Sequence, residues 1–361
     1  MIKHGRTASG RQRFRCKTCA STQTRSNNVR ARDFGSFLEF ITSRSRQVDL
    51  PGQGRTFRRR SEEFWSLWPT SVVTGEVYPV LYVDGIYLRR KAVVLIACTD
   101  THVVGWYVAR TEKSQAWKAL FARIAPPGLV VCDGGSGIAS ALKQSWPTTR
   151  VQHCTFHAFN AVKRQTTSRP RTQAGVDLYR IAKALLYIHT PEEAVAWLES
   201  LSAWNHRYKN FLAERTPVPG GGSVPTHKRL ITAKNALNTL ARKGTLFTFL
   251  EPELRSRLGA LPSTNNMIEG GVNTQLRAML RDHRGMSLNR QIKAVCWWCY
   301  LHTEDPPTPA EILSQTYTDS QIAELFANAH HFNQAQNTID QWGIGINWTD
   351  FHHSATWNNT Y

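Results

Sequence analysis

Polar and apolar positions follow two different periods along this chain. From Glu76 the pattern is that of strands. Val77-Tyr-Pro-Val-Leu-Tyr-Val83 runs into Asp84-Gly85, Ile86-Tyr-Leu88 resumes, Ala92 to Cys98 is wholly apolar, and Val103 to Val108 follows a turn at Asp100-Thr-His102. Such runs, joined by short turns, predict three consecutive antiparallel strands. Helical spacing then takes over from Ser114 to Ile124, with Trp117, Leu120, Phe121 and Ile124 on one face. The run Leu129-Val-Val-Cys132 stops at Asp133, with Gly134, Gly135 and Gly137 close behind. It predicts a buried strand that delivers a carboxylate at its C-terminal end, where open α/β sheets keep their chemistry. A helix from Ile138 to Trp146 and a strand from Arg150 to His153 end the series.

On either side the period is helical. Phe34, Phe37, Leu38 and Ile41 recur at helical spacing over 33–44, and after a turn at Leu50-Pro-Gly-Gln-Gly54 a second segment opens with Arg55, Arg58, Arg59 and Arg60. Two helices joined through a turn, the second this basic, resemble a helix-turn-helix over 26–70 that faces DNA. The competing reading is a solvated basic helix. Residues 161–262 read as almost wholly helical, with periodic stretches at Val176–Ile188 and Ala194–Leu212 and a flexible loop from Thr216 to Pro225. A last helix begins at Ser263-Thr-Asn-Asn-Met-Ile-Glu269. Asn266 and Glu269 have capping-box spacing, and Ile268, Val272, Leu276 and Met279 form a buried stripe. Glu269, Asn273 and Arg277 share another face, able to present a metal ligand and phosphate contacts together.

Charge adds a partner to this picture. The 361 residues carry a net charge of +19. Residues 1–60 hold 15 Lys and Arg against Asp33, Glu39 and Asp49, whereas 303–361 hold seven acids and neither Lys nor Arg. Such a gradient is the footprint of a protein that binds a polyanion, with double-stranded DNA the commonest. No run of 18 apolar residues and no apolar centre within Met1–Arg15 is present, so neither a membrane span nor a secretory signal is expected. Seven cysteines point to reduced thiols and a cytoplasmic compartment.

Some cysteines have metal-ligand spacing. Cys16-x-x-Cys19, behind a basic strand, is one knuckle of a zinc ribbon, half of the four-ligand set a structural zinc needs. With only His4 upstream, residues 1–25 read as a zinc-ribbon remnant. Cys154-x-x-His157 admits zinc as well, but no second pair lies near it in sequence. Cys296 and Cys299 stand among Trp297, Trp298 and Tyr300 as core thiols, and Trp197 and Trp204 either stack on an unpaired base or pack.

Three strands, a helix, a strand, a helix and a strand is the order of a ribonuclease H-like core. The expected fold is therefore α/β: such a core over 76–160, an all-helical insertion, the last core helix within 263–302, and an acidic tail over 303–361. Asp84, Asp133 and Glu269 form its candidate acid trio. Transferring a DNA strand requires charge to be stabilised on attacking and leaving oxygens, and two divalent ions roughly 3.5–4 Å apart on hard oxygen ligands supply this.

Asp84 in Tyr-Val-Asp-Gly, Asp133 in Val-Cys-Asp-Gly-Gly, Cys154-Thr-Phe-His157 and Glu269 in Ser-Thr-Asn-Asn-Met-Ile-Glu-Gly resemble the DDE triad and Cys-x-x-His motif of the Mutator-like superfamily of transposases. Thr264–Arg284 followed by Cys296-Trp-Trp-Cys-Tyr300 is similar to a bacterial insertion-sequence branch, with an actinobacterial cast. The resemblance implies Asp84, Asp133 and Glu269 as ligands of two Mg²⁺ or Mn²⁺ ions, and support of the site by Cys154 and His157. It also implies cleavage at element ends, strand transfer into target DNA, a homo-oligomer on DNA, and work at the bacterial nucleoid. The first cysteine pair of the family's ribbon is absent. Two alternatives stand beside this reading: a silent DNA-binding regulator or domesticated remnant, and a nuclease that cuts without joining.

Overall fold

The computed structural model describes residues 1–24, 28–69, 73 and 75–324. The basic N-terminus folds as an antiparallel sheet of β1 (Ile2–Arg6), β2 (Gln12–Arg15) and β3 (Thr22–Thr24), in that order. None of its residues is buried, so the ladder rather than a core holds it together. α1 (Val29–Thr42) starts at Asn28, whose side chain accepts from the Ala31 amide, a cap of about 1 kcal/mol. Two short 3₁₀ turns lead to α2 (Arg55–Ser61) and the two-residue β4 (Leu67–Trp68).

The central sheet comprises β5 (Val80–Leu88), β6 (Ala92–Cys98), β7 (Val103–Ala109), β8 (Leu129–Cys132) and β9 (Arg150–His153). Their spatial order is β7-β6-β5-β8-β9. β6 lies antiparallel to β5 and β7, whereas β8 runs parallel to β5 and β9 parallel to β8. One face, with Leu81, Val83, Val93 and Leu95, packs on Trp117, Leu120 and Phe121 of α3 (Ser114–Phe121) and Leu142 of α4 (Ser136–Ser145). The other, with Tyr82, Ile86, Val94 and Ile96, packs on later helices and on Phe34, Phe37, Leu38 and Ile41 of α1. Cover on both faces explains why β6 is an unbroken apolar run instead of an alternating one.

A separate core builds the insertion from α5 (Thr155–Thr166), α6 (Gln173–Ala184), α7 (Pro191–Arg207), α8 (Lys209–Ala213) and α9 (Lys228–Lys243), whereas α10 (Pro252–Leu258) packs Leu254 on the sheet side. Trp197 and Trp204 are buried in it and donate their indole N–H groups to the carbonyls of Ile181 and Ala174, so both pack instead of offering a face to a base. Two expectations change here. Ala194–Leu212 is two helices broken at Tyr208, and the expected loop from Thr216 to Pro225 closes a hairpin of β10 (Arg215–Pro217) and β11 (Ser223–Pro225).

The chain returns to the sheet through a π-helical turn, Met267–Val272, continued by α11 (Asn273–Asp282), α12 (Leu288–Leu301) and α13 (Pro309–Gln315). Ile268, Leu276, Met279, Cys296 and Cys299 are buried, as their spacing predicts, whereas Val272 of the expected stripe is only partly buried. The acidic segment is partly structural. β12 (Tyr317–Thr318) pairs with β4, and Ile312 and Ile322 enter the core. Residues 319–324 are helical. No described helix is long and apolar enough to cross a membrane.

Candidate active site

The parallel register pairs Leu81 with Val130 and Tyr82 with Val131. Two residues further along each strand stand Asp84 and Asp133, on neighbouring strands about 4.8 Å apart. Asp133 follows the end of β8, as its apolar run predicts. Asp84 does not end a strand. β5 starts at Val80 instead of Val77 and continues to Leu88, with Asp84 opposite Ile96 of β6, because the antiparallel pairing outlasts the parallel one. Asp133 Oδ1 accepts the Gly135 amide at 2.9 Å, which fixes the carboxylate at the mouth of α4. Gly134 turns the chain there with φ of 74°, and the His153 ring occupies the space a side chain would need.

Glu269, 185 positions after Asp84, is held near the strand that carries it by way of Asn265. The buried Asn265 side chain donates to the Val83 carbonyl at 3.1 Å, and its backbone amide donates to Cys154 Sγ at 3.2 Å. The Thr155 amide donates to the Ser263 carbonyl. Residues 263–265 are thereby tied both to the strand that carries Asp84 and to the start of α5. The expected capping box is absent: Asn266 makes no side-chain cap bond, and the Glu269 amide donates to the Asn265 carbonyl within a π-helical turn. Such turns are frequent at functional sites because they re-aim one side chain without breaking the helix.

Asn273 Nδ2 donates to Asp84 Oδ2 at 2.6 Å, and the exposed Arg277 acts electrostatically on Glu269. His157 Nδ1 stands 3.2 Å from Glu269 Oε1 without hydrogen-bond alignment, so both buried atoms keep capacity for another partner. Cys154, His157 and Glu269 offer ligand atoms within 4.8 Å of one another. The third ligand atom comes from an acid far away in sequence.

Burial and mutual repulsion are visible in the acids. Asp84 is raised to about 6, first by burial and then by the charges of Glu269 and Asp133, against the opposing Gly85 amide and His157. Glu269 is raised by burial and Asp133. A fourth acid, Glu112, is raised to about 7 by burial, Asp133 and Asp84. Sequence reading missed it because no strand end or Asp-Gly signature marks Arg110-Thr-Glu-Lys113. Burial holds His153 down at about 4, so its ring is neutral.

An acid raised from an ordinary value near 4 to about 6 costs the fold stability above that range, and the cost fades as pH falls from about 6 to 4. In protein freed of divalent ions by chelator, Asp84→Asn is expected to stabilise the fold by up to roughly 3 kcal/mol at neutral pH, taking 1.36 kcal/mol per unit. The gain should vanish near pH 4. Urea unfolding at the two pH values checks this, and an Asn variant less stable than wild type at neutral pH contradicts it.

The other sequence candidates lie apart from this cluster. Arg55, Arg58, Arg59 and Arg60 are exposed on α2, two turns long, and none pairs with an acid among the described residues, whereas their neighbours Arg30 and Arg290 pair with Glu63 and Glu62. Cys16 and Cys19 occupy the β2–β3 turn. The Cys19 and Thr18 amides pull the Cys16 thiol down to about 7, as suits a metal-binding knuckle. Among the described residues no third ligand, His4 included, joins them.

Residues 60–215 match the family described as "Transposase, Mutator family". That span holds Asp84, Asp133, Cys154 and His157, and Glu269 falls beyond it. A probable transposase for an insertion sequence element from Corynebacterium diphtheriae is 23% identical over 191 residues, 46% of this chain. The match spans 54% of that relative, so about half the length of the curated protein is represented.

Proposed function

We propose that this chain is the DNA transposase of an insertion sequence, cutting DNA at element ends and joining the freed 3′ ends to a target through a DDE mechanism on a ribonuclease H-like core. What supports the proposal is that Asp84 and Asp133 stand on adjacent strands and that Asp84 feels the charge of both Asp133 and Glu269, whose π-helical turn is tied to β5 through Asn265. Acids gathered this way repel an anionic ligand, so a mere DNA binder has no use for them. No Lys or Arg pairs with Asp84 or Asp133 among the described residues, and Glu269 Oε1 is buried without a hydrogen-bond partner. This donor set, carboxylate oxygens that no Lys or Arg holds in an ion pair among the described residues, fits Mg²⁺ or Mn²⁺.

Bound there, two divalent ions would stabilise charge on the attacking and leaving oxygens of the phosphodiester. The chain's own groups hold that arrangement in place. Asn273 orients the Asp84 carboxylate, Gly135 orients Asp133, His157 stands 3.2 Å from Glu269, and Arg277 offsets part of the negative charge of Glu269. Cys154 acts one step back, through the Asn265 amide that its sulfur accepts. The reading is tested by incubating the purified protein and Mg²⁺ with DNA carrying its element ends. Cleaved and joined products support a transposase, cleaved products alone support a nuclease, and binding alone supports a regulator.

Double-stranded DNA is the proposed partner, approached by the basic N-terminal half with its helix-turn-helix and by a homo-oligomer that brings two ends together. Replacing Arg58, Arg59 and Arg60 by Ala should weaken binding and reduce the salt dependence of log K by up to about three phosphate contacts' worth of slope. Binding measured across a salt series checks this. An unchanged slope places the DNA surface elsewhere.

A further inference from the structure

The loop between β7 and α3 sends Glu112 onto the backbone beside the first aspartate. A methyl group on Gly85, the residue after Asp84, would stand 2.4 Å from Glu112 Oε1 and 3.0 Å from its carboxyl carbon. The same loop presses on the helix that follows the second aspartate: a methyl group on Gly137 would stand 2.0 Å from the Glu112 carbonyl oxygen. Neither glycine has the positive φ that favours glycine over other residues. What these positions require is room, and the room admits Glu112.

The ordinary explanations for a glutamate here do not hold. Glu112 precedes α3, yet it forms no capping bond: the N-cap is Lys113, without a side-chain hydrogen bond, and no described Lys, Arg or His pairs with the Glu112 carboxylate. Its electrostatic neighbours are Asp133 and Asp84. A half-buried carboxyl group that feels the charge of two other acids, with room for it at Gly85, either takes up a proton or shares a cation with them.

We propose that Glu112 is a fourth carboxylate of the metal site, holding a divalent ion together with Asp84 and Asp133 on the side away from Glu269. This rests on the metal-dependent reading above, in which Asp84 and Asp133 are the shared ligands. Glu112 then touches the ion directly, and Gly85 is the positioning residue that lets it do so.

The test is a titration of purified full-length protein with Mn²⁺, with bound and free ion distinguished by electron paramagnetic resonance, so that catalysis is not needed as a readout. Wild type should bind Mn²⁺, and Asp133→Asn should abolish most of that binding. Glu112→Gln should weaken at least one Mn²⁺ site by about tenfold or more, with its thermal melt in chelator no lower than that of wild type, and Glu112→Asp should recover part of the loss. Gly85→Ala, whose added methyl displaces the carboxylate, should weaken the same site, and combining it with Glu112→Gln should add little. Wild-type Mn²⁺ affinity and stoichiometry in a folded Glu112→Gln, while Asp133→Asn loses them, would overturn the role of Glu112 alone. Failure of wild type itself to bind Mn²⁺ would overturn both this proposal and the metal-dependent function.

Discussion

Asp133→Asn is expected to bind element-end DNA as wild type does while cleavage and strand transfer both fall by about three orders of magnitude or more, the scale seen when one member of a catalytic unit is removed. The substitution keeps the size of the side chain and an oxygen to accept the Gly135 amide, so the turn into α4 should survive. It removes a charge from the position that Asp84, Glu112 and Glu269 all feel. Asp84→Asn and Glu269→Gln should behave alike. Because the acids act as one unit, a double variant should be hardly worse than either single one. Mn²⁺ should restore a little activity, since it tolerates imperfect ligand sets better than Mg²⁺, and Ca²⁺ should support binding with little chemistry. Gel-shift and cleavage assays on the same DNA separate the two outcomes. Cleavage within a few-fold of wild type would end the metal-ion reading and make a DNA-binding regulator the better account of the charge.

The parts of this site legible in the sequence are those that local pattern determines. An apolar run that stops at Asp-Gly locates Asp133, and the helical repeat of Glu269, Asn273 and Arg277 places three side chains on one face before any tertiary contact is known. What local pattern could not show is which of two adjacent asparagines matters. Asn265 and Asn266 are chemically identical, and only the Val83 carbonyl and Cys154 sulfur, more than a hundred residues upstream, select Asn265 as the clamp. The π-helical turn was hidden for a related reason. Gly270 reads as a weak helix residue, yet its missing side chain leaves room for the Asn266 amide, whose Oδ1 would lie 2.6 Å from a methyl group there. Glu112 was hidden most completely, since its signal lies in two glycines on other elements. The short hairpin over 215–225 escaped because its prolines and glycines dominate a pairing only three residues long.

The largest stability effect is expected at the junction of α12 with the acidic segment. Lys293 is 1% exposed, and its ammonium donates to Asp319 Oδ1 at 2.5 Å and to the Trp65 carbonyl, with the Trp68 ring 4.7 Å away. Trp68 Nε1 donates to the same Asp319 oxygen at 2.5 Å. Burial pulls the Lys293 pKa down, and Asp319 opposes it. Asp319→Ala leaves the ammonium buried without its counter-ion and takes an acceptor from Trp68, so it should cost about 3 kcal/mol. That is the low end of the range for such deletions, because Asp319 keeps 24% of its side chain exposed and water can reach the vacated position. Lys293→Met should cost less, since it leaves no charge in the core and the remaining carboxylate can face solvent. The double variant Lys293→Met, Asp319→Ala should therefore be more stable than Asp319→Ala alone, an inversion that independent contributions would not produce. Urea denaturation of the four proteins measures it. If the double variant instead loses the sum of both single losses, the ion pair is not what pins the acidic segment to β4, and the β12 ladder with Ile312 and Ile322 must carry that role.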